Sequence, residues 1–134
     1  MKSPPPNLRV LVVEDDSALA RIYSCGLSAA GYRVDTASDG AEGFARLLAT
    51  SYDVVVTDLC VPKLSGLDLL EEVRRRRPGV PVVMVSGVLD STAYEMAREM
   101  GTVRFLMKPV SIHQLERAVQ SAWRLTAARA RTDS

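Results

Sequence analysis

The spacing of apolar residues in this chain switches repeatedly, and that alternation limits the folds open to it. Residues 8–13, 53–57 and 80–85 are short, nearly solid runs of Val and Leu. Between them, apolar residues recur every three or four positions. A short solid run suits a strand buried on both faces, and the wider spacing suits a helix with one buried stripe. Two mixed segments, 32–37 and 103–107, read as further strands nearer the sheet edges.

The helical stretches are Leu19, Ile22, Tyr23, Leu27 and Ala30, then Ala41, Phe44, Ala45 and Leu48. They continue with Leu67, Leu70 and Val73, then Ala93, Met96, Ala97 and Met100, and finally Ile112, Leu115, Val119 and Ala122. Asp16, Ser65 with Asp68, and Ser111 with Gln114 are start signals; Gly31, Pro78-Gly79 and Gly101 are stops. Five strands alternating with five helices predict an α/β domain, a doubly wound parallel sheet covered on both faces. Placing the solid runs centrally favours the strand order 2-1-3-4-5.

At 134 residues there is room for one domain, expected over residues 8–126, with 1–7 and 127–134 as tails or a linker. A hydrophobic share of 47% against 25% charged excludes a disordered class. Lys and Arg number 17 and Asp and Glu 16, so no strong global field points to nucleic acid or anionic lipid. Cys25 and Cys60 are far apart and His113 is the single histidine, which argues against a disulfide framework, a zinc site or a His-assisted nucleophile. Cys25 is expected in helix packing. No apolar run approaches a membrane span and no signal segment is evident, so a cytoplasmic location is the expectation.

In open parallel α/β sheets, ligands sit beyond the carboxyl ends of the strands. Here those ends are chemically loaded: Glu14-Asp15-Asp16 after the first, Asp58 after the third, Ser86 after the fourth, Lys108-Pro109 after the fifth. The expected order makes strands one and three neighbours, which brings Glu14, Asp15 and Asp58 together. Converging carboxylates repel unless a cation joins them. Oxygen donors without thiolate or imidazole argue for Mg2+, which keeps several waters and pairs with phosphate. A lysine and a hydroxyl alongside complete a site for a phosphoryl group, with Asp58 as a possible nucleophile.

These residues resemble a known family. The segments Val13-Glu14-Asp15, Thr57-Asp58-Leu59-Cys60-Val61-Pro62 followed by Gly66, Val85-Ser86-Gly87 and Met107-Lys108-Pro109 are similar to those of the response regulator receiver domains of two-component systems. The resemblance implies a flavodoxin-like receiver fold, and a signalling switch rather than an enzyme. Asp58 would accept phosphoryl from a histidine kinase, a phosphotransfer protein or a small acyl phosphate. Asp15 would bind Mg2+ directly, Glu14 through water, and the Cys60 backbone carbonyl would be a further ligand. Lys108 and Ser86 would contact phosphoryl oxygens, and Phe105 stands at the switch-aromatic position. Pro109 would fix its turn through a cis bond.

The resemblance also implies that helix four, strand five and helix five change their surface for a downstream protein or a C-terminal effector domain. Homodimerisation through the helix-four to helix-five face is common in the family. With Cys60 and Val88 at the positions that influence water attack, hydrolysis of the aspartyl phosphate is expected to be slow. Alternatives are an aspartate-nucleophile phosphatase, which wants two acids on one segment, and an interaction module that needs no phosphorylation. The arginine run 74–77 reads as a solvated helix end.

Overall fold

The structure is a computed structural model and describes residues 7–88, 90–102 and 104–133, with side chains through 127. The elements are β1 (Arg9–Val13), α1 (Ser17–Ala29), β2 (Arg33–Ala37), α2 (Gly40–Ala49) and β3 (Val54–Asp58). They continue as α3 (Gly66–Arg76), β4 (Val82–Ser86), α4 (Ser91–Glu99), β5 (Arg104–Met107) and α5 (Ile112–Asp133). Val103, read as the start of the fifth strand, lies outside the described residues, as do residues 1–6 and Ser134. Helix α5 continues through most of the segment read as a tail.

All five strands are parallel, in the order β2-β1-β3-β4-β5. Side chains alternate across a strand, so each solid run supplies two cores at once. Leu11, Val13, Val55 and Met84 face one way, against Leu47 of α2, Leu69, Leu70 and Val73 of α3, and Ala93 and Ala97 of α4. Val10, Val12, Val54, Val56, Val83 and Val85 face the other, against Tyr23 and Leu27 of α1 and Leu115, Val119 and Ala122 of α5. The central strands β3 and β4 are buried throughout, and the edge strands β2 and β5 are only partly so.

The helix starts are capped as their residue types predict. Asp16 accepts from the N–H groups of Ala18 and Leu19. Ser65 accepts from the Asp68 N–H, and Ser111 and Gln114 cap each other reciprocally.

The buried helical stripes differ from the expected ones in places. On α2 the buried line is Gly40, Gly43 and Leu47, while Ala41, Ala45 and Leu48 are exposed. Gly43 explains this, because a Cβ there would stand 2.9 Å from Val13 Cγ2. At Gly43 the helix meets the sheet through a residue with no hydrophobic signal. On α1 the buried line is Tyr23 and Leu27, leaving Ile22 exposed. Cys25, two residues past Tyr23 and so on the far side of the helix, is exposed and does not pack in the core. Met96 is exposed on α4, and Leu67 is only half-buried while Leu69 is fully buried.

The arginine run is also not uniformly solvated. Arg74 turns inward, donating from Nη1 to the Pro78 carbonyl at 2.7 Å and from Nη2 to the Val80 carbonyl. Its stem rests beside Gly101, at the end of α4. Arg75 and Arg76 pair with Glu72 on the surface, as expected for a helix end.

Candidate functional site

The neighbouring ends of β1 and β3 bring Glu14, Asp15 and Asp58 together, with one carboxylate oxygen of each within 4.8 Å of the others. Glu14 is 3% and Asp58 7% exposed, whereas Asp15 faces solvent. The Glu14 N–H donates to the Ala37 carbonyl at 3.0 Å, so β2 continues to hold the chain just beyond β1. Its Oε2 accepts from the Asp16 N–H at 3.2 Å.

Lys108 bridges the two buried acids. Its Nζ donates to Glu14 Oε1 at 2.8 Å and to Asp58 Oδ2. The Lys108 N–H donates to the Ser86 carbonyl at 2.7 Å, and its bond to Pro109 is cis, as expected. Burial works against the ammonium charge, but the hydrogen bonds to Asp58 and Glu14 outweigh it and raise the pKa above the usual lysine value. Burial pushes the Glu14 carboxyl up; the Asp58 charge adds to this, while Lys108 and the Asp16 N–H oppose it. The other Asp58 oxygen, Oδ1, accepts from the Cys60 N–H at 2.9 Å. The Asp58 carboxylate is thus held at both oxygens.

Gly66 makes this loop possible. A Cβ on it would stand 2.5 Å from the Asp58 carbonyl oxygen and 2.8 Å from Leu59 Cα. Only glycine lets the start of α3 close on the end of β3, and its N–H donates back to the Leu59 carbonyl at 2.9 Å.

Ser86 lies at the same sheet end, fully buried, but its hydroxyl does not bond to the carboxylates. It donates to the Val88 carbonyl at 3.0 Å and accepts from the Val88 N–H at 3.1 Å. Phe105 is half-buried, and its ring meets Tyr94 edge to face, with centroids 5.2 Å apart and planes at 74°. Sequence reasoning missed Tyr94. It lies one residue past buried Ala93 and off the apolar stripe, and only the spatial pairing of α4 with β5 marks it.

Three carboxylates and one ammonium leave two negative charges uncompensated, the charge of one divalent cation. The all-oxygen donor set, open at Asp15, fits a hard cation with an incomplete protein shell. Asp58 is the buried carboxylate of the set whose two oxygens are both held.

The arrangement is a doubly wound parallel sheet with an acidic pocket at its carboxyl end answered by one lysine, and comparison with known proteins narrows what it is. The family model described as response regulator receiver domain matches residues 10–120. The chain is 33% identical over 116 residues to the transcriptional regulatory protein QseB of Haemophilus influenzae, covering 85% of this chain and 52% of that protein. It is 34% identical over 116 residues to the transcriptional regulatory protein GlrR of Escherichia coli, covering 84% of this chain and 26% of that one. The chain therefore spans about half the length of the first relative and a quarter of the second. A receiver domain structure from Clostridium thermocellum superposes with a TM-score of 0.84 at 32% identity, covering 90% of this chain and 98% of that one. The chain belongs to the response regulator receiver domain family of two-component systems. Among the described residues, no helix is long and apolar enough to cross a membrane.

Proposed function

We propose that this receiver accepts a phosphoryl group on Asp58 in a Mg2+-dependent reaction and passes the signal on as a change in its binding surface. The observation that carries the reading is the Asp58 carboxylate itself. It is buried, its two oxygens are held by the Cys60 N–H and by Lys108, and it lies in an acidic cluster with two uncompensated charges. Asp15, Asp58 and the Cys60 carbonyl would hold the metal directly, and Glu14 through water. When bound, the metal supplies charge neutralisation for the transferred phosphoryl oxygens.

An Asp58 oxygen attacks phosphorus, and a new O–P bond forms. The P–N bond of a phosphohistidine, or the P–O bond of an acyl phosphate, breaks as the imidazole or carboxylate leaves with the electron pair. Lys108 already bridges Asp58 and Glu14, so it can follow negative charge from the carboxylate to the phosphoryl oxygens over a short path. Ser86 must release Val88 to donate to the new anion. That trade links phosphorylation to the β4–α4 turn, and Phe105 against Tyr94 is the adjacent pair that can repack. The donor is a histidine kinase or phosphotransfer protein, and the receiver of the signal is a downstream protein or an effector domain. Cys60 and Val88 are exposed at the positions flanking water attack, and neither orients a water well, so the phosphoryl group is long-lived.

The test is incubation with acetyl phosphate and Mg2+, followed by intact mass. One phosphoryl adduct, absent in Asp58→Asn, supports the reading. Steady turnover of many phosphomonoesters would instead identify a phosphatase, and no adduct with a full Mg2+ site would identify a phosphorylation-independent module.

A further inference from the structure

The loop that leads from Asp58 to α3 is anchored at its two ends, and its middle is held by a different part of the chain. At the start, the Leu59 N–H donates to the Val85 carbonyl at 2.8 Å; at the end, the Gly66 N–H closes on Leu59. Between them Pro62 and Lys63 are exposed and Leu64 is half-buried. Lys63 has a φ of 71°, and across it the Leu64 N–H donates to the Pro62 carbonyl at 2.8 Å. A bond spanning one residue at positive φ is a γ-turn of the rare, strained kind. Such strain persists only where the surroundings hold it.

Here the surroundings are the turn between β2 and α2. The Gly40 N–H donates to the same Pro62 carbonyl at 3.1 Å, so one oxygen takes two N–H groups. A Cβ on Gly40 would stand 1.7 Å from the Leu64 carbonyl oxygen, and only glycine permits this approach of backbone to backbone. Beside it, Asp39 uses both carboxylate oxygens. Oδ1 accepts from the Glu42 N–H at 2.7 Å, capping α2, and Oδ2 meets Lys63 Nζ at 3.3 Å. The Glu42 N–H leads in holding the Asp39 carboxyl below its ordinary value, and Lys63 adds to this. Asp39 and Gly40 thus grip the γ-turn at two points, one through a side chain and one through the backbone.

We propose that Asp39, Gly40 and Lys63 form a clamp that sets where the Cys60 carbonyl stands, which makes Gly40 and Lys63 positioning residues for Mg2+. This rests on the reading above that Mg2+ binds beside Asp58 with that carbonyl as a ligand. The Cys60 N–H is already committed to Asp58 Oδ1 at 2.9 Å, and the clamp takes hold two residues further on. Little freedom is left to the carbonyl between them. A carbonyl placed beforehand binds a hard cation without a further loss of loop entropy. The Lys63 side chain is 70% exposed, so its effect on the metal runs through the loop.

The full chain is titrated with Mg2+ alone by calorimetry, and adduct formation from acetyl phosphate is followed by intact mass. Lys63→Ala removes a cation from the acidic end of the sheet, and charge alone would then make Mg2+ bind more tightly. The clamp predicts the opposite sign: a Mg2+ Kd about threefold higher, restored in Lys63→Arg, with the metal-free melting temperature close to the parent's. Gly40→Ala should weaken Mg2+ about tenfold and slow adduct formation at subsaturating metal. Should Gly40→Ala fail to fold, the two Lys63 variants decide alone. A Lys63→Ala chain that binds Mg2+ as well as the parent, or better, overturns the clamp. So does a lowered metal-free melting temperature with an unchanged Mg2+ Kd, which would mark a merely structural ion pair. A parent that binds no Mg2+ overturns the metal reading and the clamp with it, whereas Mg2+ binding that ignores Lys63 overturns the clamp alone.

Discussion

Two carboxylate clusters lie on this one small sheet, and they are built to opposite designs. Near the amino ends of the strands, Asp35 Oδ2 accepts from the Tyr52 hydroxyl at 2.6 Å and from Arg9 Nη2 at 3.3 Å. The Arg9 guanidinium also stands over the Tyr52 ring, 5.7 Å from its centre. That cluster has no excess negative charge: one carboxylate is met by the Tyr52 hydroxyl and Arg9, with the Arg46 charge also acting on it. At the carboxyl end, three acids share one lysine. The first arrangement is matched in charge as it stands, whereas a further cation would offset the excess charge of the second. Position on the sheet therefore separates an acid whose charge is matched from acids that outnumber their one cation.

The pKa directions follow the same division. The Tyr52 hydrogen bond leads in holding the Asp35 carboxyl below its ordinary value, and Arg9 adds to this against burial. The folded state binds that proton more weakly than the unfolded chain does. Its stabilisation is thus full above the ordinary carboxylate range and is lost as pH falls through the lowered value. Glu14 is raised, chiefly by burial. Keeping it ionised costs stability above its raised value, and the cost fades as pH falls toward the ordinary one.

The strongest break in this comparison is Lys108→Ala. Removing the one cation from a buried acidic cluster should cost about 3 kcal/mol without metal, read from denaturant unfolding, and millimolar Mg2+ should recover much of it. Next comes the metal itself. At a hundredfold excess over Kd, Mg2+ should stabilise the parent by about 2.7 kcal/mol. That gain should disappear in Asp15→Asn and remain intact in Asp35→Asn. A smaller effect belongs to Asp35→Asn, which should lose about 1 kcal/mol at neutral pH, with the deficit closing in acid. Smallest is Glu14→Gln in metal-free buffer, expected to be neutral or stabilising by a few tenths of a kcal/mol at neutral pH, with the gain vanishing in acid. If the two pH profiles have the same sign, the contrast between the clusters is wrong.

Much of this was legible in the chain itself. The strand order and the convergence of Glu14, Asp15, Asp58 and Lys108 follow from where the solid runs end. Less legible was everything that depends on close approach. Gly43 carries no hydrophobic signal, yet it sets which side of α2 meets Val13. Arg74 reads as a solvated charge until the Pro78 and Val80 carbonyls are placed beside it. The hydroxyl of Ser86 sits at the predicted strand end but bonds to Val88, because a serine hydroxyl readily pairs with the backbone groups two residues on. Tyr94 and Phe105 are eleven residues apart in sequence and meet only through the fold.

The central claim is that the unbalanced cluster, and not the balanced one, does chemistry. Peptide mapping by mass spectrometry after treatment with acetyl phosphate tests it most directly. The account predicts a single phosphoryl group on the peptide containing Asp58, formed with Mg2+ and absent without it. A phosphoryl group found on another acid, or on Asp58 to the same extent without a divalent cation, would contradict it.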